Sequence, residues 1–207
     1  MMMLSSGGQT PDMQPLDAPD AWRLTTPEND TYIPGILDKT IAALAWTAQH
    51  APDAWVFRTN LSSYIDVSAL ADLMRGLSDN ACVGYSPTFD HLSGCGIGLS
   101  AGAMAQIVRH QHRLERHLID DVAISRLLQL LGCSRKWTGR LDNVWPDGLC
   151  MHGPPPYYHV RVKGLDRRRD ASILAQLAEG GMAVALSWFS TQTATDSPAG
   201  SQPTLAR

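Results

Sequence analysis

Short apolar runs alternate along this chain with longer segments of helical pattern, and this alternation most constrains its fold. The runs AWVFR and ACVGY have the length and the β-forming residues of buried strands, and YYHVRV alternates apolar with basic side chains. Between them, apolar residues recur at helical spacing in GILDKTIAALAWTAQH, residues 66–77, LIDDVAISRLLQLLG and DASILAQLAEG. This order favours an α/β fold in which helices cover a mostly parallel sheet.

Local signals predict several element boundaries. The segment HLSGCGIGLS is too rich in glycine for a regular strand interior, so we expect a close backbone approach there. We expect Asp66 or Ser68 to cap the helix over residues 66–77. Asp170 and Gly180 are expected to begin and end the last helix.

Length and composition indicate one folded domain with loose ends. The chain has 207 residues, of which 44% are hydrophobic, so a core can form without metal or disulfide support. Residues 1–26 show no hydrophobic period and are expected to be loose, and residues 27–190 to form a single domain. Residues 191–207 are polar and are expected to be a disordered tail.

The charge balance and the cysteine spacing exclude several classes of protein. The formal net charge is −3, so no overall field attracts the chain to nucleic acid or anionic lipid. Its four cysteines lack the spacing of a zinc site. The sequence has neither a secretory leader pattern nor an apolar run long enough to span a bilayer. It therefore predicts a cytoplasmic protein without a nucleic-acid partner or stable membrane insertion.

Three polar clusters stand at the ends of expected elements, where an open α/β sheet usually binds its ligand. They are RTNLSS at residues 58–63, the pair Asp120 and Asp121, and HVRVK from His159 to Lys163. The first suits sugar hydroxyls, the second offers a general base, and the third offers positive charge for a diphosphate and an imidazole for phosphate or metal. Each also has a plain structural interpretation: a capped turn, a helix cap and a solvated strand face.

The glycines allow a different interpretation. Gly96, Gly98 and Ala101 fit the G-x-G-x-x-A spacing of a dinucleotide fingerprint, and Asp120 follows 19 residues after Ala101. The flanking segments PTFDHLS and RHQHRLERHL are wrong for the two strands that this fingerprint needs. We therefore regard the match as accidental and a nicotinamide-dependent oxidoreductase as the weakest alternative.

In order along the chain, several segments resemble those of glycosyltransferases of the GT-A fold, in the fringe and β-1,3-galactosyltransferase-like branch and its bacterial and viral relatives. TYIPGILDKTIAALAW is similar to the family's helix with "KT…W", and DAWVFRTNLSSYIDVSAL to the strand that follows it. GCGIGLSAG resembles "sGggyvlS", IDDVAIS resembles "EDVyvG", and YYHVRVKGLDRRRD is more loosely similar to the late strand and loop. The resemblance covers residues 27–180.

The resemblance implies a Rossmann-like GT-A sheet and an inverting transfer of sugar from a nucleotide-sugar to a glycan or other hydroxyl acceptor, as in polysaccharide biosynthesis. The "EDV" motif places the general base at Asp121, with Asp120 beside it. The residues implied to bind the donor are Arg58, Thr59, Asn60, Ser62, Arg161 and Lys163. Those implied to lie beside the acceptor or the sugar are Gly94, Cys95 and Gly96.

Two departures from the family pattern change the expected mechanism. Where the family has an acidic triplet that holds Mn²⁺ or Mg²⁺, this chain has RTN at residues 58–60, which lacks hard anionic oxygens. Arg161 and Lys163 are then expected to neutralise the leaving diphosphate, and His159 is the remaining candidate metal ligand. The family's first nucleotide-binding strand is not recognisable in residues 1–30. A fragment, or a catalytically silent remnant that binds sugar or a partner, is therefore the alternative.

Overall fold

The computed structural model describes residues 2–6, 12–17, 22–26, 31–88, 90–144 and 148–195. In chain order its elements are β1 (Met2–Ser6), β2 (Asp12–Pro15), β3 (Trp22–Thr26), α1 (Gly35–His50), β4 (Val56–Thr59), β5 (Ser63–Ile65), α2 (Val67–Arg75), β6 (Ala81–Gly84), β7 (Gly96–Leu99), α3 (Ala101–Arg109), a 3-10 helix (Gln111–Arg113), α4 (Asp120–Leu130), β8 (Ser134–Trp137), β9 (Gly139–Val144), β10 (Gly148–His152), β11 (Tyr157–Val162) and α5 (Arg167–Thr195). The expected α/β class is confirmed.

The chain divides into two compact units. The first comprises Met1–Asn60 and Asp72–Thr138, and the second comprises Leu61–Ala71 and Gly139–Arg207. Two such units can belong to one domain, so the single domain expected over residues 27–190 stays a prediction.

A four-stranded sheet with the order β4-β7-β6-β8 forms the centre of the first unit. β7 is antiparallel to β4 and β6, whereas β6 and β8 are parallel. Helices α1, α3 and α4 share its core, because their helical spacing places apolar residues on one face. These buried side chains are Leu37, Ile41, Leu44, Met104, Ile107, Ile124 and Leu128.

The glycine-rich segment contains a regular strand, β7, so the expectation of an irregular stretch there is wrong. All four residues of β7 are buried, and the strand pairs on both sides. The expected close approach is confirmed, because a Cβ on Gly98 would overlap Val83 Cγ1 of β6. Glycine therefore weakens this strand less than its entropy suggests, since the neighbouring strand fills the space of the missing side chain.

Residues 1–26, expected to be loose, contain three short strands. β1 pairs in parallel with β3, and β2 pairs antiparallel with β3. Leu24 and Thr26 of β3 are fully buried. The three strands have four or five residues each, which is too short for a hydrophobic period to be recognised in the sequence.

The second unit contains a four-stranded sheet with the order β10-β9-β11-β5. One face of it is apolar and packs against α5, because residues along a strand point alternately to the two faces. Leu141, Val160 and Val162 of the sheet form a buried core with Leu177 and Met182 of the helix.

The sheets are mixed rather than mostly parallel, so that part of the expected fold class is wrong. Five of the described strand pairings are antiparallel and three are parallel. The expectation assumed a helical crossover between successive strands. The chain instead joins β9 to β10 by a short connection, which permits only antiparallel pairing.

Capping side chains set the helix starts, although not always the expected ones. Asp66 caps α2 by accepting from the Ala69 N–H at 2.9 Å, as expected. α4 begins at Asp120, also as expected. In α5, Asp166 accepts a backbone N–H of the first turn at 2.9 Å, so the expectation that Asp170 is the cap is wrong.

The last helix does not stop at Gly180, which corrects the expected end. Its helical geometry is interrupted at Gly181, with φ 63° and ψ −158°, and helix then resumes to Thr195. A positive φ is accessible to glycine without strain, so the residue breaks the helix without ending it. Of the expected tail, residues 191–195 are helical and residues 196–207 lie outside the described residues.

Candidate functional site

One end of the first unit's sheet brings together residues 58–60, from the first polar cluster, and the acid pair Asp120 and Asp121. β4, β6 and β8 run in the same direction, so their carboxyl ends meet at this edge together with the start of β7. Thr59, at the end of β4, pairs with Gly96, at the start of β7. Ligands of α/β sheets usually bind outside the carboxyl ends of strands. We name this set the strand-end cluster: Arg58, Thr59, Gly94, Cys95, Gly96, Asp120 and Asp121.

Arg58 connects the acid pair to the glycine segment. Its Nη2 lies 2.5 Å from Asp120 Oδ2, an ion-pair distance without the alignment of a hydrogen bond. Its Nη1 donates to the Gly94 carbonyl oxygen. The Arg58 side chain is 23% exposed and that of Asp120 is 10% exposed. The attraction is therefore less screened by water than that of a surface ion pair.

Asp121 fixes the same glycine from the other side. Asp121 Oδ2 accepts from the Gly94 N–H at 2.9 Å, and Asp121 Oδ1 accepts from the Val122 N–H at 2.9 Å. A Cβ on Gly94 would lie 2.7 Å from Arg58 Nη1 and 3.1 Å from Asp121 Oδ2. A side chain at this position would therefore displace the guanidinium from its contact with the Gly94 carbonyl.

A threonine at the end of β4 makes the next contact with this segment. Thr59 Oγ1 donates to the Cys95 carbonyl oxygen at 2.8 Å. Asn60 follows directly and is exposed. The structure thus brings the polar end of β4, the glycine segment and the acid pair together within one unit.

The electrostatics of the acid pair are asymmetric. Burial raises the pKa of Asp120, Arg58 beside it acts to lower that pKa, and the neighbouring charge of Asp121 raises it again. The guanidinium of Arg58 pairs with Asp120. Asp120 is buried and neutralised by Arg58, whereas Asp121 is half-buried and bonded only to backbone groups in the described structure.

The residues at this edge do not fit a divalent metal ion. The guanidinium of Arg58 lies against the better buried of the two carboxylates and repels any cation there. Within the described ranges, no group of three or more His, Cys, Asp and Glu side chains lies close enough to hold a metal. His159, the remaining candidate ligand, belongs to no such group.

One further polar residue near this edge has no counterpart among the predicted residues. Ser86 lies two residues beyond β6, and its hydroxyl is buried without a hydrogen-bond partner among the described residues. The adjacent Tyr85 carbonyl accepts from the Ser93 N–H at 2.8 Å, which places this loop beside the glycine segment. A polar residue just after a buried strand was the available sequence signal.

The other predicted site residues belong to the second unit. Arg161 is half-buried on β11, and Lys163 follows the strand and is exposed. The Ser62 carbonyl accepts from the Val162 N–H at 2.7 Å. Because these residues lie in a different unit from Asp121, their predicted role at the donor diphosphate stays a prediction.

His159 is buried, so the solvated strand face suggested by the sequence is wrong at this position. It is 3% exposed, and its Nε2 lies 2.9 Å from Ser63 Oγ. Burial, together with the charges of Arg140 and Arg161, lowers the pKa of His159 to about 3. The imidazole is therefore neutral at physiological pH.

The dinucleotide interpretation does not agree with the position of its glycines. Gly96 and Gly98 lie inside β7, and Ser100 then caps α3 by accepting from the Ala103 N–H at 3.2 Å. The fingerprint needs its glycines in the turn between a strand and a helix, next to the cofactor phosphates. Here the neighbouring strands occupy that space.

Comparison with known proteins leaves the family open. The chain matches no family model and no curated protein sequence. Among the helices of the described ranges, none combines the length and the apolar character needed to cross a bilayer. The glycosyltransferase resemblance and the cytoplasmic location therefore remain expectations.

Proposed function

We propose that this chain is a glycosyltransferase-like protein that transfers a sugar from a nucleotide-sugar to an acceptor hydroxyl, with inversion. One observation carries the proposal: at the carboxyl ends of the strands, Asp121 bonds to the glycine segment directly and Asp120 pairs with Arg58, which bonds to the same glycine. Such edges are typical ligand sites, and the resemblance names the same residues.

Asp121 is the general base in this proposal. Each of its oxygens accepts one backbone N–H and keeps a second lone pair, so the carboxylate is oriented and still able to accept a proton. In the transfer step the acceptor hydroxyl gives its proton to Asp121 and its oxygen bonds to the anomeric carbon. The bond from that carbon to the nucleoside diphosphate breaks on the opposite side, and the diphosphate leaves with the electron pair.

Asp120 and Arg58 have a positioning role in this proposal. The ion pair neutralises Asp120, and the guanidinium also holds the Gly94 carbonyl. Arg58 therefore orders the glycine segment rather than supplying a spare charge to the donor. Hydrogen bonds to sugar hydroxyls come from the exposed groups next to it, Thr59 and Asn60.

A transfer assay with an Asp121→Asn variant tests the proposal. We expect the rate to fall about a hundredfold or more, because an amide cannot accept the acceptor proton. Asp53→Asn, which changes an exposed carboxylate elsewhere in the same unit, should keep the rate. The assay measures glycosylated acceptor by mass spectrometry over a panel of nucleotide-sugars. Full activity of Asp121→Asn would refute the assignment of the base.

The second candidate is a catalytically silent remnant of the same fold that binds sugar or a partner. The Arg58–Asp120 pair favours it, because Arg58 occupies a position where the family has metal-binding acids. Titration calorimetry with nucleoside diphosphates, with and without Mn²⁺, separates the two. Binding that does not depend on metal, together with transfer, supports the enzyme. Absence of both binding and transfer supports the remnant.

A further inference from the structure

The sheet of the second unit has a polar face on the side opposite α5. Arg140 and Asp142 point to this side from β9. Their register partners extend it to both neighbouring strands: His152 on β10 pairs with Arg140, and Arg161 on β11 pairs with Asp142. Arg140 and Asp142 are 5% and 6% exposed. We name this set the polar face: Ser63, Arg140, Asp142, His152, His159 and Arg161.

The carboxylate of Asp142 is already paired with another residue of the polar face, Arg140. Arg140 Nε and Nη2 donate to its two oxygens at 2.6 and 2.8 Å, which is the bidentate geometry of a strong pair. His152 Nε2 lies 3.3 Å from Asp142 Oδ2. The Asp142 carboxylate therefore balances Arg140 and leaves no charge for a second cation.

Arg161 is a second positively charged residue on the polar face, and Asp142 does not neutralise it. It sits beside Asp142 in the sheet, yet no hydrogen bond or ion pair engages its guanidinium among the described residues. Its Nε is buried and unsatisfied, which is unfavourable for a charged donor. Burial and the two guanidiniums keep the pKa of His159 low, at about 3. The neutral imidazole thus adds no charge, and the face keeps one unbalanced positive charge.

The end of β11 supplies a further positive charge. Lys163 follows Arg161 by two residues and is exposed, with no ion pair to its ammonium group within the described part of the chain. The carboxylates nearest in sequence bond to other groups: Asp66 caps α2, Asp166 accepts a backbone N–H in the first turn of α5, and Asp170 accepts the Gly164 N–H and pairs with Arg167, both at 3.1 Å. The two cations therefore have no acidic partner among these groups.

We propose that the polar face binds a phosphate group, with the Arg161 guanidinium and the Lys163 ammonium as its charge partners. The Nη groups of a guanidinium present parallel N–H donors that match two oxygens of a phosphate. A carboxylate would use the guanidinium alone. A phosphate has a further oxygen and a second charge for the lysine, and Ser63 adds a hydroxyl next to His159.

This inference does not need sugar transfer, since it rests on the polar face alone. A free phosphate ion and the phosphate group of a nucleotide offer the same chemistry. The test therefore uses inorganic phosphate, pyrophosphate and a nucleoside diphosphate as probes, with acetate as the carboxylate control. Tighter binding of the nucleoside diphosphate than of pyrophosphate identifies a nucleotide as the source, and equal binding of these two probes shows that the phosphate groups alone are recognised.

Titration calorimetry of the full chain at fixed ionic strength measures the binding. We expect Arg161→Gln to raise the Kd for phosphate at least about tenfold, because it removes a charged hydrogen-bonding group. Arg161→Lys keeps the charge without the paired donors and should fall between the two. Lys163→Gln should raise the Kd a few fold. Arg168→Gln, which removes an exposed charge from the first turn of α5, should leave the Kd unchanged.

Three results would overturn the inference: no phosphate binding by the folded wild-type chain, equal binding of acetate, or equal losses for Arg161→Gln and Arg168→Gln. Thermal unfolding checks that each variant is folded. If Arg161→Gln does not fold, Lys163→Gln and the wild type decide the outcome. Asp121→Asn should bind phosphate as the wild type does, so failure of the transfer mechanism and failure of this site are separate results.

Discussion

Each unit has a half-buried arginine, and the surroundings of these two arginines differ. In the strand-end cluster, Arg58 forms an ion pair with Asp120 and donates to the Gly94 carbonyl. Its guanidinium is therefore engaged by groups of the protein itself. On the polar face, Arg161 lies beside an acid that another arginine already occupies, and its Nε is unsatisfied. For this reason we propose a binding role for the arginine whose neighbours leave its charge unbalanced, and a positioning role for the arginine that has an acidic partner.

Removing the paired arginine gives the largest expected effect. Arg58→Met leaves Asp120 buried without a counter-charge and releases the Gly94 carbonyl, and should lower the free energy of unfolding by about 3 kcal/mol. Adding Asp120→Asn removes the stranded charge and should recover part of the loss. Urea denaturation measures both variants. A loss below about 0.5 kcal/mol, typical of a surface charge, would contradict the contrast between the two arginines.

Acid should destabilise the protein through the polar face. His159 is neutral in the fold with its pKa lowered to about 3, whereas in the unfolded chain it protonates below its ordinary value of 6.5. The contribution of His159 to the free energy of unfolding is therefore fully present above pH 6.5 and is lost as the pH falls towards 3. From neutral pH, well above 6.5, down to pH 5 the loss is about 2 kcal/mol.

The measurement for this prediction is the pH dependence of unfolding in the wild type and in His159→Gln, which keeps a hydrogen-bonding group near Ser63. The variant should lack the part of the acid dependence that comes from the imidazole. Parallel curves for the two proteins would show that His159 is not held neutral. Asp120 affects the pH dependence of stability in the opposite direction to His159. Because its pKa is raised in the fold, its contribution to stability falls as the pH rises above the ordinary value of 3.8.

Removing the unpaired arginine gives the smallest expected effect on stability. Arg161→Met deletes a charge without a partner and a buried unsatisfied donor, so the free energy of unfolding should change by less than about 0.5 kcal/mol or rise. Arg140→Met is the matched control, because it strands the carboxylate of Asp142 and should cost about 3 kcal/mol. Equal losses in urea for the two variants would remove the distinction between a structural and a ligand-binding guanidinium.

Local features of the fold could be predicted from the sequence. The start of α4 at Asp120 follows from acidic residues that favour a helix N-terminus, and its end before Gly132 follows from the positive φ that glycine adopts, 69° here. Alternation of apolar and basic residues identified β11. Each of these signals lies within a few residues of the structure that it predicts.

Features that depend on distant contacts could not be predicted in the same way. β5 has only three residues and is defined by pairing with β11, and β7 is a strand because its neighbours fill the space beside Gly98. The resemblance named Arg58 and Asp120 separately, but no sequence pattern shows that they form a pair. The excess charge at Arg161 likewise depends on which acid Arg140 has taken.

The pairing of β5 with β11 has a consequence for how the chain can be dissected. Ser63 and His159 meet across these strands although 96 residues separate them. A recombinant fragment that starts at Gly139 would lack β5, and the unpaired backbone edge of β11 would then be open to association with other chains. During ribosomal synthesis, residues 72–138 of the other unit are made after β5 and before its partner strand β11. Truncations should therefore retain residues 61–71 with the carboxyl-terminal half.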